Sequence, residues 1–90
     1  ESLSYSVCHA LAQQEGLLLG ASTGAIVATG LHVASKLKPG SRILMINPDR
    51  GDRYLETIYD HQWLESNGFE IYPVESLPEQ IEQLKPIYFE

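Results

Sequence analysis

The sequence predicts an α/β architecture, a βαβ portion of a parallel-sheet domain followed by an irregular acidic tail. Three observations carry that expectation. Two short apolar runs, Leu17-Leu18-Leu19 and Ile43-Leu44-Met45-Ile46, lack polar alternation, as strands buried on both faces do. Between them, Ala25 to Leu37 is small or apolar nearly all round, which marks an interior helix. Each run is closed by turn chemistry, Gly20 after the first and Asn47-Pro48 after the second. Two such strands joined by one helix should pair in parallel with a right-handed crossover.

The elements follow in order. Leu3, Val7, Ala10 and Leu11 recur at helical spacing, so a helix is expected over Ser4 to Glu15, stopped by Gly16. The first strand comes next, then a turn of small residues at Gly20-Ala21-Ser22-Thr23-Gly24, then the interior helix, closed by Pro39-Gly40. After the second strand the pattern turns irregular. Asp52 heads a short helix through Tyr59, and Asp60 heads another around Trp63 and Leu64, ended by Asn67-Gly68. Ser76-Leu77-Pro78-Glu79 has capping-box spacing and predicts a last helix to Leu84, before Pro86.

Ninety residues fit one small domain or a piece of a larger one. With 43% hydrophobic and 20% charged residues, the chain is neither disordered nor fibrous. The longest apolar-plus-glycine run, Gly16 to Ala21, is far shorter than the ~20 residues of a membrane span. Glu1-Ser2-Leu3-Ser4 shows no secretory pattern, and the chain reads as an excerpt whose beginning lies elsewhere. The net charge is −6, and ten of the twelve acidic residues lie in the second half. Such a surface repels phosphate backbones, which argues against nucleic acid and anionic membranes as partners. The single cysteine, Cys8, points to a reducing compartment such as the cytoplasm. His9, His32 and His61 are scattered without zinc-ligand spacing, so no metal is expected.

Two stretches are candidates for chemistry. Gly20 to Gly24 joins a strand's carboxyl end to a helix's amino end, where open α/β sheets bind ligands, and Ser22 and Thr23 add two hydroxyls. The plainer reading is that Ser22 or Thr23 caps the helix. The glycines at 16, 20 and 24 match no dinucleotide fingerprint, and Ala25 stands where a P-loop needs lysine. Asn47 to Tyr54 leaves the second strand and could line the same crevice, although taken alone it reads as a solvated turn. Among single residues, Cys8 reads as a small buried hydrophobe. His9 and His61 read as surface residues, His32 as a satisfied polar group, and Trp63 with Leu64 as packing. A Ser22-His61-Asp49 arrangement can be drawn, but no spacing specifies it.

Gly16 to Ala25, the apolar helix, and Arg42-Ile43-Leu44-Met45-Ile46-Asn47-Pro48-Asp49-Arg50-Gly51-Asp52-Arg53-Tyr54-Leu55 together resemble the C-terminal part of the cysteine synthase-like family. These are fold-type II enzymes dependent on pyridoxal 5′-phosphate (PLP). The likeness covers about residues 4 to 58, and departs from the family pattern at Thr23, Arg50 and Asp52. Glu56 to Leu64 resembles a narrower branch that joins O-phospho-L-serine to L-glutamate in siderophore biosynthesis. Its product is N-(2-amino-2-carboxyethyl)-L-glutamate, a precursor of 2,3-diaminopropionate.

The resemblance implies a segment of a three-layer parallel-sheet domain of the tryptophan synthase β-like kind. Residues 1–90 would be the C-terminal segment of the large PLP-binding catalytic domain, with core 4–58 and tail 59–90. The activity implied is β-replacement through an aminoacrylate, in a cytoplasmic homodimer acting on small amino acids. Ser22 would meet the pyridine nitrogen of PLP, with Gly20, Ala21, Thr23, Gly24, Pro48 and Asp49 as neighbours. Gly24 would stay small so that the turn could approach the flat ring. The Schiff-base lysine would lie upstream, so this chain would hold no catalytic residue. Plain cysteine synthase is the alternative within the class, and a non-catalytic acidic anion-binding module the alternative outside it.

Overall fold

The computed structural model describes residues 2–84, and its architecture is helical. The first helix, α1, spans Ser2–Glu15 and stops where Gly16 turns left-handed at φ 69°. A short connection leads to α2, Ala21–Ala34. A long passage of turns and irregular chain then reaches a 3-10 turn at Gly51–Tyr54. Next come α3, His61–Ser66, a second 3-10 turn at Val74–Ser76, and α4, Leu77–Glu82.

The core forms where three helices meet. Val7 of α1, Ala28 of α2, and Leu77 and Ile81 of α4 are buried together, with Leu3, Ala10, Leu11, Val27, Tyr72 and Leu84 packed around them. The acidic second half therefore contributes core residues to the α1–α2 pair. The Asp60 carboxylate accepts from Gln62 N–H at 3.0 Å, which caps α3 as its sequence predicts. Trp63 stacks on Phe69 with centroids 5.8 Å apart, and the Tyr5 ring stands edge-on to both. α4 begins after Ser76 as expected but without a capping box: the Ser76 hydroxyl donates to Pro73 O at 2.8 Å. Pro86 lies outside the described residues.

The expected parallel α/β unit is not what the chain forms, for the described residues contain no strand and no sheet, only an isolated antiparallel bridge between Leu19 and Arg50. Gly20 N–H donates to Asp49 O at 3.2 Å, and Gly51 N–H to Leu18 O at 3.0 Å. The chain thus returns past Leu18–Gly20 in the opposite direction and occupies backbone groups that a parallel neighbour would need. Residues 43–46 instead ride on the outside of α2, with Met45 over Gly30, leaving Leu44 91% and Ile46 74% exposed. The physical reason is coverage. A parallel strand needs helices on both faces, and two strands with one crossover helix supply a single covered face.

α2 also differs from its expected form. It starts at Ala21, so most of the predicted Gly20–Gly24 turn is its first turn. It is not interior on every side: Thr23, Gly24, Ala28, Gly30 and His32 are buried, while Leu31 is exposed.

Candidate functional site

The two stretches singled out in the sequence meet at the amino end of α2. Gly20 is the N-cap residue, extended at φ −76° and ψ 166°, and no side chain caps the helix. The capping role open to Ser22 and Thr23 is therefore filled by neither. Thr23 is buried, and its hydroxyl donates to Asn47 Oδ1, which ties α2 to the loop that follows residue 46. Ser22 is exposed, and its hydroxyl has no partner among the described residues. Ala21 is half-buried beside it, and Pro48 is exposed.

Asp49 is the centre of the contact. Its carbonyl accepts from Gly20 N–H, and its carboxylate lies directly over the Gly20 Cα, where a Cβ would fall 1.7 Å from Oδ1. The Tyr54 hydroxyl donates to Asp49 Oδ2 at 2.6 Å, and Arg53 stands 4.0 Å from the same oxygen. The bond to Asp49 is the main reason the Tyr54 hydroxyl is pushed above its ordinary pKa. Asp49 Oδ1 is buried with no hydrogen-bond partner. Arg50 and Asp52 form an exposed pair at 3.5 Å, which is what a solvated turn does.

Gly24 is small for a reason other than ligand approach. A Cβ there would fall 2.2 Å from Ser4 O and 2.7 Å from Cys8 Sγ, so this glycine lets α1 and α2 come together.

Behind the site, Cys8 is fully buried with Sγ 3.5 Å from Gly20 O, and burial pushes its thiol up. The Tyr59 hydroxyl donates to Leu19 O at 2.6 Å and accepts from Leu19 N–H at 3.3 Å. Burial, with the Cys8 thiol close by, pushes the Tyr59 hydroxyl up to about 12. This clamp on the bridge residue was not legible in the sequence, which carries no signal linking positions forty apart. His9 is buried rather than on the surface: its Nε2 meets Ile58 O at 2.7 Å and its ring stacks on Tyr59. His32 is the satisfied polar group expected, with Nδ1 2.9 Å from Ile81 O. His61 is exposed, its ring edge-on to His9, while Asp49 is engaged by Tyr54. No Ser22-His61-Asp49 relay is assembled.

PLP carries four polar groups, a ring nitrogen, a phenolic oxygen, an aldehyde and a phosphate, and the described residues offer a partner for one of them. An unengaged hydroxyl at the start of a 14-residue helix suits a ring nitrogen, which needs one neutral donor or acceptor. No described lysine stands near it, since Lys36 and Lys38 follow the opposite end of α2, and Lys85 lies outside the described residues. Among the described residues, no group of three or more His, Cys, Asp or Glu could hold a metal ion, and no helix is long and apolar enough to cross a membrane. An apolar groove of about 680 Å³ runs between α1, α2 and α4, and shares no lining residue with Gly20–Gly24 or Asn47–Tyr54. The candidate site is therefore the first turn of α2, with exposed Ser22 on it and the loop that Asn47 and Asp49 tie to Thr23 and Gly20, and no protein-family model matches the chain.

Proposed function

We propose that this chain is a segment of a PLP-dependent β-replacement enzyme that condenses O-phospho-L-serine with L-glutamate, giving N-(2-amino-2-carboxyethyl)-L-glutamate. The observation that supports the reading most is the exposed, unengaged Ser22 hydroxyl on the first turn of α2, a turn tied through Gly20 and Thr23 to the loop whose sequence also carries the family likeness. When bound, PLP supplies the electron sink that β-elimination and re-addition require. Ser22 contributes a neutral hydroxyl at the ring-nitrogen end. Unlike a carboxylate, it does not oblige that nitrogen to keep a proton, so the sink stays moderate and favours loss of the leaving group. Gly20, Thr23 and Asp49 hold the first turn of α2 in place. The lysine and the phosphate-binding groups are supplied by other parts of the enzyme.

The test uses the complete gene product that carries this segment. Turnover of O-phosphoserine with glutamate, exceeding that of O-acetylserine with sulfide, is the expected result. The reverse preference makes it a cysteine synthase, and no PLP binding at all overturns the enzyme reading. Within that protein, Ser22→Ala removes one neutral hydrogen bond worth about 0.5–1.5 kcal/mol and should retain cofactor and measurable turnover. Ser22→Asp separates stability from activity. Ser22 is the second residue of α2, where an added carboxylate stabilises the helix by about 0.3–1 kcal/mol. The aspartate protein should therefore melt higher yet turn over more slowly than alanine, with an altered cofactor spectrum. An aspartate protein with normal turnover and spectrum removes Ser22 from the ring-nitrogen position.

A further inference from the structure

Exposure alternates along the run 43–46: Ile43 is 37% and Met45 40% exposed, while Leu44 is 91% and Ile46 74%. A period of two is the pattern of a strand with one face on a support and the other in solvent. The support is α2, with Met45 over Gly30. The main chain is open as well. Among the described residues, no hydrogen bond reaches the backbone of Arg42, Ile43, Leu44, Met45 or Ile46. Backbone donors and acceptors are strong groups that seek partners, and a row of unpaired ones is a template for another strand. Natural sheet edges set a charge or a proline in such a row to keep other chains off, and Ile43-Leu44-Met45-Ile46 carries neither.

We propose that residues 42–46 are an interaction surface for a second copy of this chain, the two runs pairing antiparallel about a twofold axis at Leu44. The run is self-complementary in that register. Leu44 falls opposite its own copy, Ile43 opposite Met45 and Ile46 opposite Arg42, while Pro39 and Pro48 stay outside the ladder. Residues directly opposite each other share a face, so Ile43 and Met45 of both copies remain on the α2 side. Leu44 and Ile46 gather on the outer face, where the Arg42 stem can lie along the opposing Ile46. A two-stranded ribbon alone is marginal, but here each strand is backed by its own α2. Charge does not oppose the pairing. No acidic residue occurs from Gly16 to Pro48, so the net charge of −6 is carried elsewhere in the sequence. The two Arg42 residues stand four ladder positions apart, about 13 Å, beyond the screening length of ~8 Å at physiological salt. The pairing is independent of the role given to Ser22.

Sedimentation of the 90-residue chain from micromolar to submillimolar concentration reads the assembly state, with melting followed by circular dichroism beside it. A monomer–dimer equilibrium is the expected result. Leu44→Glu and Leu44→Lys each place two like charges opposite one another at the axis and should weaken the dimer at least about tenfold. Leu44 is exposed, so neither change should lower the melting temperature of the monomer. An equal mixture of the two variants sets opposite charges at the axis and should restore the dimer. Leu55→Glu, at an exposed leucine outside the run, should leave the dimer unchanged. A chain that stays monomeric throughout overturns the proposal, as does assembly beyond the dimer. So does a dimer that withstands both Leu44 charges or dissociates equally with Leu55→Glu, since either result places the contact on another surface. A mixture no tighter than either variant alone removes the axis from Leu44 and overturns the pairing.

Discussion

Alanine at Gly24 and alanine at Gly30 should change stability in opposite directions, though both glycines lie inside α2 and both are buried. In a helix interior, glycine to alanine gains about 1 kcal/mol from reduced backbone freedom in the unfolded chain. That gain applies equally to both sites. The difference lies in what the new methyl group meets. At Gly24 it would lie 2.2 Å from the Ser4 carbonyl oxygen and 2.7 Å from Cys8 Sγ, the first of these being backbone of α1. Relief requires α1 and α2 to move apart, an overpacking cost of about 1–3 kcal/mol, and separation also loosens Val7 from Ala28. The net change is a loss of up to ~2 kcal/mol. At Gly30 the obstacle is the Met45 side chain, 2.3 Å away at Sδ. Met45 is 40% exposed and unbranched, so it can rotate outward at little cost. Gly30→Ala should therefore be neutral or stabilising by up to ~1 kcal/mol. Equilibrium urea unfolding followed by circular dichroism reads both values. A Gly24→Ala chain as stable as Gly30→Ala would refute the close approach of the two helices.

Three further outcomes follow from groups behind the site. Tyr59→Phe removes both hydroxyl bonds to Leu19 and should cost about 1 kcal/mol at neutral pH, measured by urea unfolding. Because the folded Tyr59 hydroxyl sits at about 12, above its ordinary value of 10, its contribution is complete below pH 10 and is lost as pH rises through about 12; Tyr59→Phe should lack that component of alkaline destabilisation in a pH series of melts. Cys8, fully buried with its thiol pushed up, should react with iodoacetamide far more slowly in the native chain than in urea, and equal rates would place it at the surface. His9→Leu strips the Ile58 carbonyl of its buried partner and should destabilise by about 1–3 kcal/mol in the same unfolding assay, whereas a neutral result would return His9 to the surface.

Much of the local structure was legible because it rests on short-range chemistry. Gly16 and Gly68 end helices with positive φ, and Asp60 caps α3, each decided within a few residues. Cys8 and His32 were placed correctly by their residue type and by the helix they sit on. The strands were not legible, because an apolar run says that a segment wants cover and does not say what covers it. Residues 43–46 found α2, and Leu18–Gly20 found residues 49–51 running the other way. For the same reason the start of α2 came four residues early: Ala21 to Gly24 are small enough to turn or to coil, and Thr23 chose helix by reaching Asn47. His9 went astray because its partner, Ile58, lies 49 positions away.

Both buried histidines span that same interval, His9 to Ile58 and His32 to Ile81. Each therefore closes a large loop with a single polar link, and each link forms only after the chain between has been gathered in. The α1–α2 pair, by contrast, is made from neighbours in sequence. Loop closure over tens of residues carries its entropy cost before any contact repays it, so such links belong late in assembly. The expected order is a helical hairpin first, with the segment around Ile58 and then α4 docking afterwards as two latched flaps. Substitutions at either histidine should then leave the folding rate almost unchanged and appear mainly as faster unfolding.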